Sequence, residues 1–396
     1  MNYDALLILI LESIIALLIL YFSRVLRNPK HIIGAALIIG IAFTLRGLFL
    51  SHETLDYQDF LSVWVQYFSD QGGWKAIAHP IGNYNIPYMY FLALFSYCGI
   101  RDLYLIKLLS ILFDIFLAWA VMRIVEDFNG SRTRRFLSFI ITLLLPTVLL
   151  NGSYWGQCDS IYVALALWGL DFALRNKPTA SMILFACSFA FKLQAVFILP
   201  VIIVLLIRKK YKWWHLLVFP ATYLVLILPA VCAGYPMEDA VLLYFNQADT
   251  VGSGLNYNSP SVFSLLQTVP NADFAGKIGI VAAFAVVLII CILEMVIKPR
   301  SSRSLFGTAL VFSIAIPFLL PHMHERYFFM ADVITLTTVF ISPGYFILPL
   351  LSQFASLLGY HAYLRGYYLY PMSYGGLALL AAIFISFVFY SASKNK

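Results

Sequence analysis

Charge is the scarcest ingredient of this chain. Only 11% of its 396 residues are Asp, Glu, Lys or Arg, against roughly 25% in a soluble domain. With 62% hydrophobic residues, too little polar surface remains to face water, so the surrounding medium must be mostly lipid. Cysteine is also sparse. Cys98, Cys158, Cys187, Cys232 and Cys291 have no paired spacing and mostly lie in apolar runs, which argues against a disulfide framework or a zinc site. No basic residue precedes the first hydrophobic run, so it reads as a retained membrane anchor and not as a secretory signal. Internal repeats, low-complexity tracts and a soluble domain are absent.

What the chain does have is apolar runs of about 18 residues or more, the length of a membrane-crossing helix. They are continuous, not alternating, which excludes a β-barrel. The expected fold is an all-α polytopic membrane protein. Its helices are expected at 5–22, 31–50, 103–122, 136–150, 158–174, 179–191, 194–207, 215–232, 278–297, 304–320, 328–342, 344–358 and 372–390, about thirteen spans. The net charge of +7 falls in short clusters between the runs: Arg24, Arg27 and Lys30; Arg123, Arg132, Arg134 and Arg135; Arg175 and Lys177; Arg208, Lys209, Lys210 and Lys212; Lys298, Arg300 and Arg303; Lys394 and Lys396. Such clusters mark cytoplasmic helix ends, and no basic stripe with interleaved aromatics points to nucleic acid. Placing every cluster inside puts the N-terminus outside and the C-terminus inside. Two long outer loops result, 51–102 and 233–277, within one transmembrane domain covering 1–396. Residues 86–98 are expected to lie along the interface, where Tyr84, Tyr88, Tyr90 and Tyr97 suit the headgroup depth.

Four polar patches then fall on the outer face. "SHETLDYQDFLSVWVQ" at 51–66 carries Asp56 and Asp59, either solvated loop carboxylates or a general base at the membrane surface. "NGSYWGQCDS" at 151–160 carries Tyr154, Trp155, Gln157 and Asp159, a hydrogen-bonded turn or a polar ligand site. "AFKLQAV" at 190–196 interrupts an apolar run with Lys192 and Gln194. The lysine either snorkels to the headgroups or faces an anionic substrate. "LLPHMHERYFF" at 319–329 holds His322, His324, Glu325 and Arg326. Arg326 and Glu325 can pair structurally, and two histidines two apart would not share a helix face. No zinc-type ligand spacing appears. Several ionisable groups on one side of a membrane suggest a shared site at headgroup level. A substrate matching it has a lipid tail, an anionic phosphate and a polar aqueous portion, the description of an isoprenoid-phosphate sugar. Interfacial aromatics including Tyr84 offer faces for sugar rings. In the 246–263 loop, Asn256 and Tyr257 are candidate substrate contacts.

The ordered set "LDYQDF", "GNYNIPYMY", "GSYWGQCDS", "FKLQA" and "HMHER" resembles the C-type (GT-C) membrane glycosyltransferases. The resemblance spans about 50–380. It is closer to bacterial mannosyltransferase-like relatives of the GPI-anchor mannosyltransferases, and extends to the lumenal glucosyltransferases of the N-glycan precursor. It implies a GT-C-type fold and an inverting transfer of a hexose, mannose or glucose, from a polyprenyl-phosphate sugar to a glycan or glycolipid acceptor at the extracytoplasmic face of the cell membrane. It implies Asp56, a better match than Asp59, as catalytic base. His322, His324 and Arg326, with Lys192 and Gln194 nearby, are implied at the donor phosphate. No cofactor or metal is required in principle, because the leaving group is a single phosphate. The competing classes are a polytopic transporter or lipid-linked glycan flippase, which would need charged groups at mid-membrane and access from both sides, and another membrane enzyme acting on the same lipid carrier.

Overall fold

Every apolar run read from the sequence is helical in a computed structural model, which describes residues 3–82, 84–248, 252, 254–266, 268, 270–297 and 301–393. Two helices, α1 (Tyr3–Phe22) and α2 (Pro29–Phe49), form an opening hairpin. Asn28 caps α2 by accepting from the His31 amide, with Pro29 in the first turn, where its missing N–H costs nothing. The first long loop is itself folded. A π-helical turn at Tyr57–Leu61 runs into α3 (Ser62–Asp70), and α4 (Ile86–Phe95) follows. Then come α5 (Asp102–Asp127), α6 (Arg132–Leu144) and the short α7 (Pro146–Leu149). A second π-helical turn, Leu150–Trp155, leads to α8 (Asp159–Leu174), α9 (Pro178–Phe191) and α10 (Val201–Ile207). The chain continues through α11 (Val218–Cys232), α12 (Met237–Ala248), α13 (Ala272–Val296) and α14 (Ser302–Leu319). It ends with α15 (Phe329–Ile341), α16 (Ile347–Arg365) and α17 (Met372–Ala392).

Seven of these helices are long and apolar enough to cross a membrane, and the bent α6–α7 pair makes an eighth. The thirteen expected spans include shorter pieces, among them Ile86–Phe95, Pro178–Phe191, Leu193–Ile207 and Phe329–Ile341. Burial sorts the long ones. The apolar windows of α5 and α14 are 78% and 83% buried, whereas those of α1, α2, α11 and α13 are 17–28% buried. The first two are the packed centre. The other four are apolar on faces that nothing in the protein covers, as lipid-facing helices are.

The sequence reading needs correction in several places. The expected 136–150 span is broken. Pro146 removes an amide and holds Leu145 in an extended conformation, and the chain bends by 47° there. The last turn of the expected 344–358 helix continues to Arg365, stopped by Gly366 at φ +75°, a left-handed cap that glycine adopts without strain. The expected interfacial helix ends at Phe95. Its Tyr88 is buried inside the protein and Tyr90 donates to the Leu226 carbonyl, while Tyr97 is exposed. A helix over Met237–Ala248 was not expected at all. Finally, the helical chain contains one small parallel pairing, β1 (Asn256–Tyr257) with β2 (Met323–His324).

The two ends of α5 meet different surroundings. Near its start, Ser110 Oγ donates to the Gln157 carbonyl and Lys107 Nζ to the carbonyls of Phe49 and His52. Near its end, Glu126 pairs with Arg123 and Arg135, and Asp127 with Arg175. Arg135 also donates to the Ser23 carbonyl, and Phe128 packs on Phe306. Sixteen residues separate Ser110 from Glu126, about 24 Å along a helix. The basic collar and the polar loops therefore occupy opposite ends of the bundle. Lys298, Arg300, Lys394 and Lys396 of the expected basic clusters lie outside the described residues.

Candidate active site

Three segments distant in sequence meet at Asp56. The aspartate sits just before the first π-helical turn and is buried. Its Oδ2 accepts from Trp155 Nε1 at 2.8 Å and from Gln157 Nε2. Its Oδ1 accepts from the Tyr363 hydroxyl, on the last turn of α16. Asp59, one turn further, is exposed and reaches none of these groups. The geometry thus separates two carboxylates that the sequence left side by side.

The broken α6–α7 helix is what delivers the donors. Its π-helical turn widens the coil, and Gly156 at φ +83° then reverses the chain. Trp155 and Gln157 are carried to the same oxygen of Asp56 as a result. Their backbone is secured independently: Thr54 Oγ1 donates to the Trp155 carbonyl at 3.0 Å, and Ser110 to that of Gln157 at 2.7 Å. The Gln157 amide oxygen accepts from Tyr84 at 2.9 Å, which fixes the Nε2 end toward Asp56. Irregular backbone at such a depth is tolerated where it is buried in protein or lines a cavity.

Next to Asp56 lies a cluster of alternating charge. Lys192 Nζ is 2.5 Å from Asp159 Oδ1, and both side chains are almost wholly buried, at 8% and 2% exposure. The lysine does not snorkel. Asn151 donates to the other oxygen of Asp159 at 2.7 Å and to the Tyr360 hydroxyl at 3.1 Å. Arg326 stands among three carboxylates: Glu325 at 3.1 Å, Asp56 at 3.9 Å and Asp159 at 3.9 Å. Its guanidinium also lies 5.6 Å from the Trp155 ring centroid, and Lys192 5.4 Å from that of Tyr84. Arg326 Nε and Glu325 Oε2 are buried without a hydrogen-bond partner among the described residues. Burial works against the charge of Lys192, but Asp159, Cys158 and Tyr84 together outweigh it and the ammonium is held more firmly than usual. Arg326 is likewise held above its ordinary value: burial opposes its charge, and Tyr84, Glu325 and Asp159 more than offset that. Burial pushes the Tyr84 phenol up to about 12.

The remaining candidates form the rim. His322 adopts a left-handed backbone, φ +61°, and its amide donates to the Leu255 carbonyl. The pairing of β1 and β2 sets Tyr257 flat against His324, ring centroids 4.7 Å apart. His324 therefore lies in a strand and His322 in a left-handed turn before it, so the helix-spacing argument does not apply. Asn256 caps its own turn through Ser259. Gln194 faces Tyr327, its Oε1 without a hydrogen-bond partner among the described residues. Tyr154 stacks on His52 at 3.9 Å and meets the edge of Phe49, so it braces the end of α2 and does not face Asp56. Gly359 lets α16 close on this rim: a Cβ there would lie 2.8 Å from the Asn258 carbonyl oxygen and 3.0 Å from Glu325 Cβ.

Two residues at the centre escaped the sequence reading. Tyr360 and Tyr363 were placed beyond the helix, yet they lie three apart on one face of α16, and Gly366 is the stop signal that would have extended it. Tyr363 stacks on Trp155 at 4.9 Å and Tyr360 meets it edge-on at 5.2 Å. Among the described residues, no group of three or more His, Cys, Asp and Glu is arranged to hold a metal ion.

Residues 96–208 match the model of the MptA_B family, described as alpha-(1->6)-mannopyranosyltransferase, N-terminal domain. No curated protein and no solved structure matches the chain. The matched span holds Trp155, Gln157, Asp159, Lys192 and Gln194, whereas Asp56 and the 322–326 segment lie outside it. The match supports a mannosyltransferase family, and hence a glycosyltransferase, for this multi-pass helical chain.

Proposed function

We propose that the chain is an inverting mannosyltransferase that takes mannose from a polyprenyl-phosphate carrier and passes it to a glycan or glycolipid hydroxyl on the extracytoplasmic face of the cell membrane. The observation that carries this reading is the proximity of a buried carboxylate, Asp56, to a buried guanidinium, Arg326, 3.9 Å away. Direct displacement at an anomeric carbon needs those two groups: a base for the incoming hydroxyl and a fixed cation for the departing phosphate. Asp56 takes the acceptor proton as the new glycosidic bond forms. The electron pair of the breaking C1–O bond goes to the phosphate oxygen, where it meets Arg326, whose Nε makes no hydrogen bond among the described residues. One carboxylate suffices, and the configuration inverts; a second carboxylate acting as nucleophile would give retention.

The charge balance limits how the phosphate is held. Among the described residues, Asp56, Asp159 and Glu325 face the two fixed cations Lys192 and Arg326, with His324 3.8 Å from Glu325, so the cluster is not a surplus of fixed positive charge awaiting an anion. Arg326 is the better phosphate ligand, because Lys192 is committed to Asp159 at 2.5 Å. Lys192 then acts mainly by keeping Asp159 neutralised. His322 and His324, on the rim beside Glu325, reach a phosphate only at the edge of the site. The bilayer holds the lipid tail.

The orientation follows from the collar of Arg123, Arg135 and Arg175 at the far end of α5, which the positive-inside tendency assigns to the cytoplasm. The transporter reading is less well supported. Of the mid-helix acids it would use, Asp114 pairs with Arg46 at 3.1 Å, Glu294 pairs with Arg208 at 2.8 Å and Asp332 accepts from Ser352 and Ser356, while Glu12 has a buried oxygen with no hydrogen-bond partner among the described residues. The test is purified protein with a short-chain polyprenyl-phosphate mannose and octyl mannoside as acceptor. Release of polyprenyl phosphate with formation of a disaccharide is the expected result. Intact donor after prolonged incubation, with the same protein moving the intact lipid-linked sugar across vesicles, would replace this reading with the flippase.

A further inference from the structure

The two oxygens of Asp56 are held in different ways. Oδ2 accepts from Trp155 and Gln157, and both donors belong to one segment whose backbone is fastened by Thr54 and Ser110 and whose glutamine is oriented by Tyr84. Oδ1 accepts, among the described residues, only from the Tyr363 hydroxyl. Tyr363 is half-buried and lies on the last turn of α16, three residues before the left-handed Gly366. Beyond it the chain is an exposed loop, with Tyr367, Tyr368, Leu369 and Tyr370 each more than half exposed. Tyr368 reaches back across it to Asn258.

On the proposed reaction, the base must accept a hydrogen bond from the acceptor hydroxyl before it takes the proton. A phenol and a sugar hydroxyl offer a carboxylate the same donor. Oδ2 already accepts from two fixed donors, so an acceptor hydroxyl is directed to Oδ1, where Tyr363 donates. We propose that Tyr363 caps the catalytic base in the resting enzyme and is displaced by the acceptor hydroxyl. The base then meets an acceptor before it meets water, which protects the activated donor from hydrolysis. This inference rests on the mannosyl-transfer reading above.

Displacement is local. Rotation of one side chain at a helix end next to an exposed loop exposes Oδ1, while Trp155 and Gln157 keep the carboxylate in place. In productive transfer the acceptor oxygen bonds to C1, its proton goes to Asp56 Oδ1, and the electron pair of the broken C1–O bond leaves with the phosphate. In the leak reaction water takes the acceptor's part, and the products are free mannose and polyprenyl phosphate.

Tyr363→Phe tests the cap, since it deletes the hydroxyl and keeps the ring stacked on Trp155. With polyprenyl-phosphate mannose and no acceptor, release of free mannose should rise roughly tenfold or more, the scale of one hydrogen bond to a charged group. The ratio of hydrolysis to transfer onto octyl mannoside should rise, with a lower KM for that acceptor and an unchanged melting temperature. Hydrolysis that stays flat, or that falls together with transfer, overturns the cap and makes Tyr363 an ordinary positioning residue. Tyr363→Leu, which also removes the aromatic ring, should raise hydrolysis too; if it alone does so, the ring and not the hydroxyl excludes water and the proposal fails. Wild-type protein that releases polyprenyl phosphate from the donor while Tyr363→Phe leaks no mannose sinks this inference alone. Wild-type protein that leaves the donor intact sinks the reading beneath it as well.

Discussion

Lys192 and Asp159 show what a single pair of side chains does here. Their separation is 2.5 Å and their exposure 8% and 2%, so neither charge is solvated without the other. Lys192→Met leaves the buried Asp159 carboxylate with only Asn151 and the more distant Arg326, and the expected cost is about 3 kcal/mol, read as a lower unfolding midpoint in detergent. Adding Asp159→Asn should restore much of that loss; an unchanged midpoint in the single variant would show that the pair is solvated. Asp56→Asn is a different kind of change. The amide fills the same space between Trp155, Gln157 and Tyr363 but accepts no proton. Transfer should fall on the order of 10²–10⁴-fold with the fold retained by melting, and near-normal turnover would remove Asp56 from its role. Most of these residues were legible in the sequence because ionisable groups stand out in apolar surroundings. Lys192 interrupts an apolar run, and Asp56, Asp159 and Arg326 sit in short polar segments between such runs. Tyr360 and Tyr363 do not stand out: the chain has 25 tyrosines, and a tyrosine near a membrane boundary is ordinarily an interfacial anchor.

Among the elements, the broken helix after Pro146 decides the geometry. The sequence reading ran a span straight through to residue 150, because the hydrophobic pattern of "LLLPTVLL" continues across the proline. A π-helical turn has no such pattern. It arises when the chain must accommodate an extra residue, and it is found disproportionately at functional sites. Gly156 closes the turn at φ +83°, where a Cβ would meet Lys107 Cγ only at an ordinary 3.6 Å. Gly156→Ala is therefore a test of backbone strain without a steric clash. Its expected cost is about 1–2 kcal/mol, together with a fall in kcat as Trp155 and Gln157 lose their register on Asp56. Full activity in that variant would mean the turn adopts another shape at no cost. The β1–β2 pairing was equally hidden, since two-residue strands carry no periodicity; only the fold brings residue 257 to residue 324.

Across the whole molecule, the class of fold was legible and the count of spans was not. Composition and run length dictate a helical membrane protein, and the structure supplies seven long apolar helices, or eight with the bent pair. The difference from thirteen lies in short helices such as α9 and α15, whose runs are apolar because they are buried against neighbouring helices. Hydropathy cannot separate that burial from lipid contact. The convergence of the polar patches was anticipated from the sidedness of the basic clusters, and α5 shows it physically, with Ser110 on the site and Glu126 on the arginine collar. On the proposed orientation, the collar and the site lie on opposite faces of the membrane. In a variant without the five native cysteines, single cysteines at Asp59, Tyr367 and Arg134, all exposed, report this with a membrane-impermeant maleimide. Intact cells should be labelled at positions 59 and 367, and position 134 should react only after permeabilisation. Labelling of 59 and 367 from opposite sides, or of 59 and 134 from the same side, would contradict a single outward-facing site.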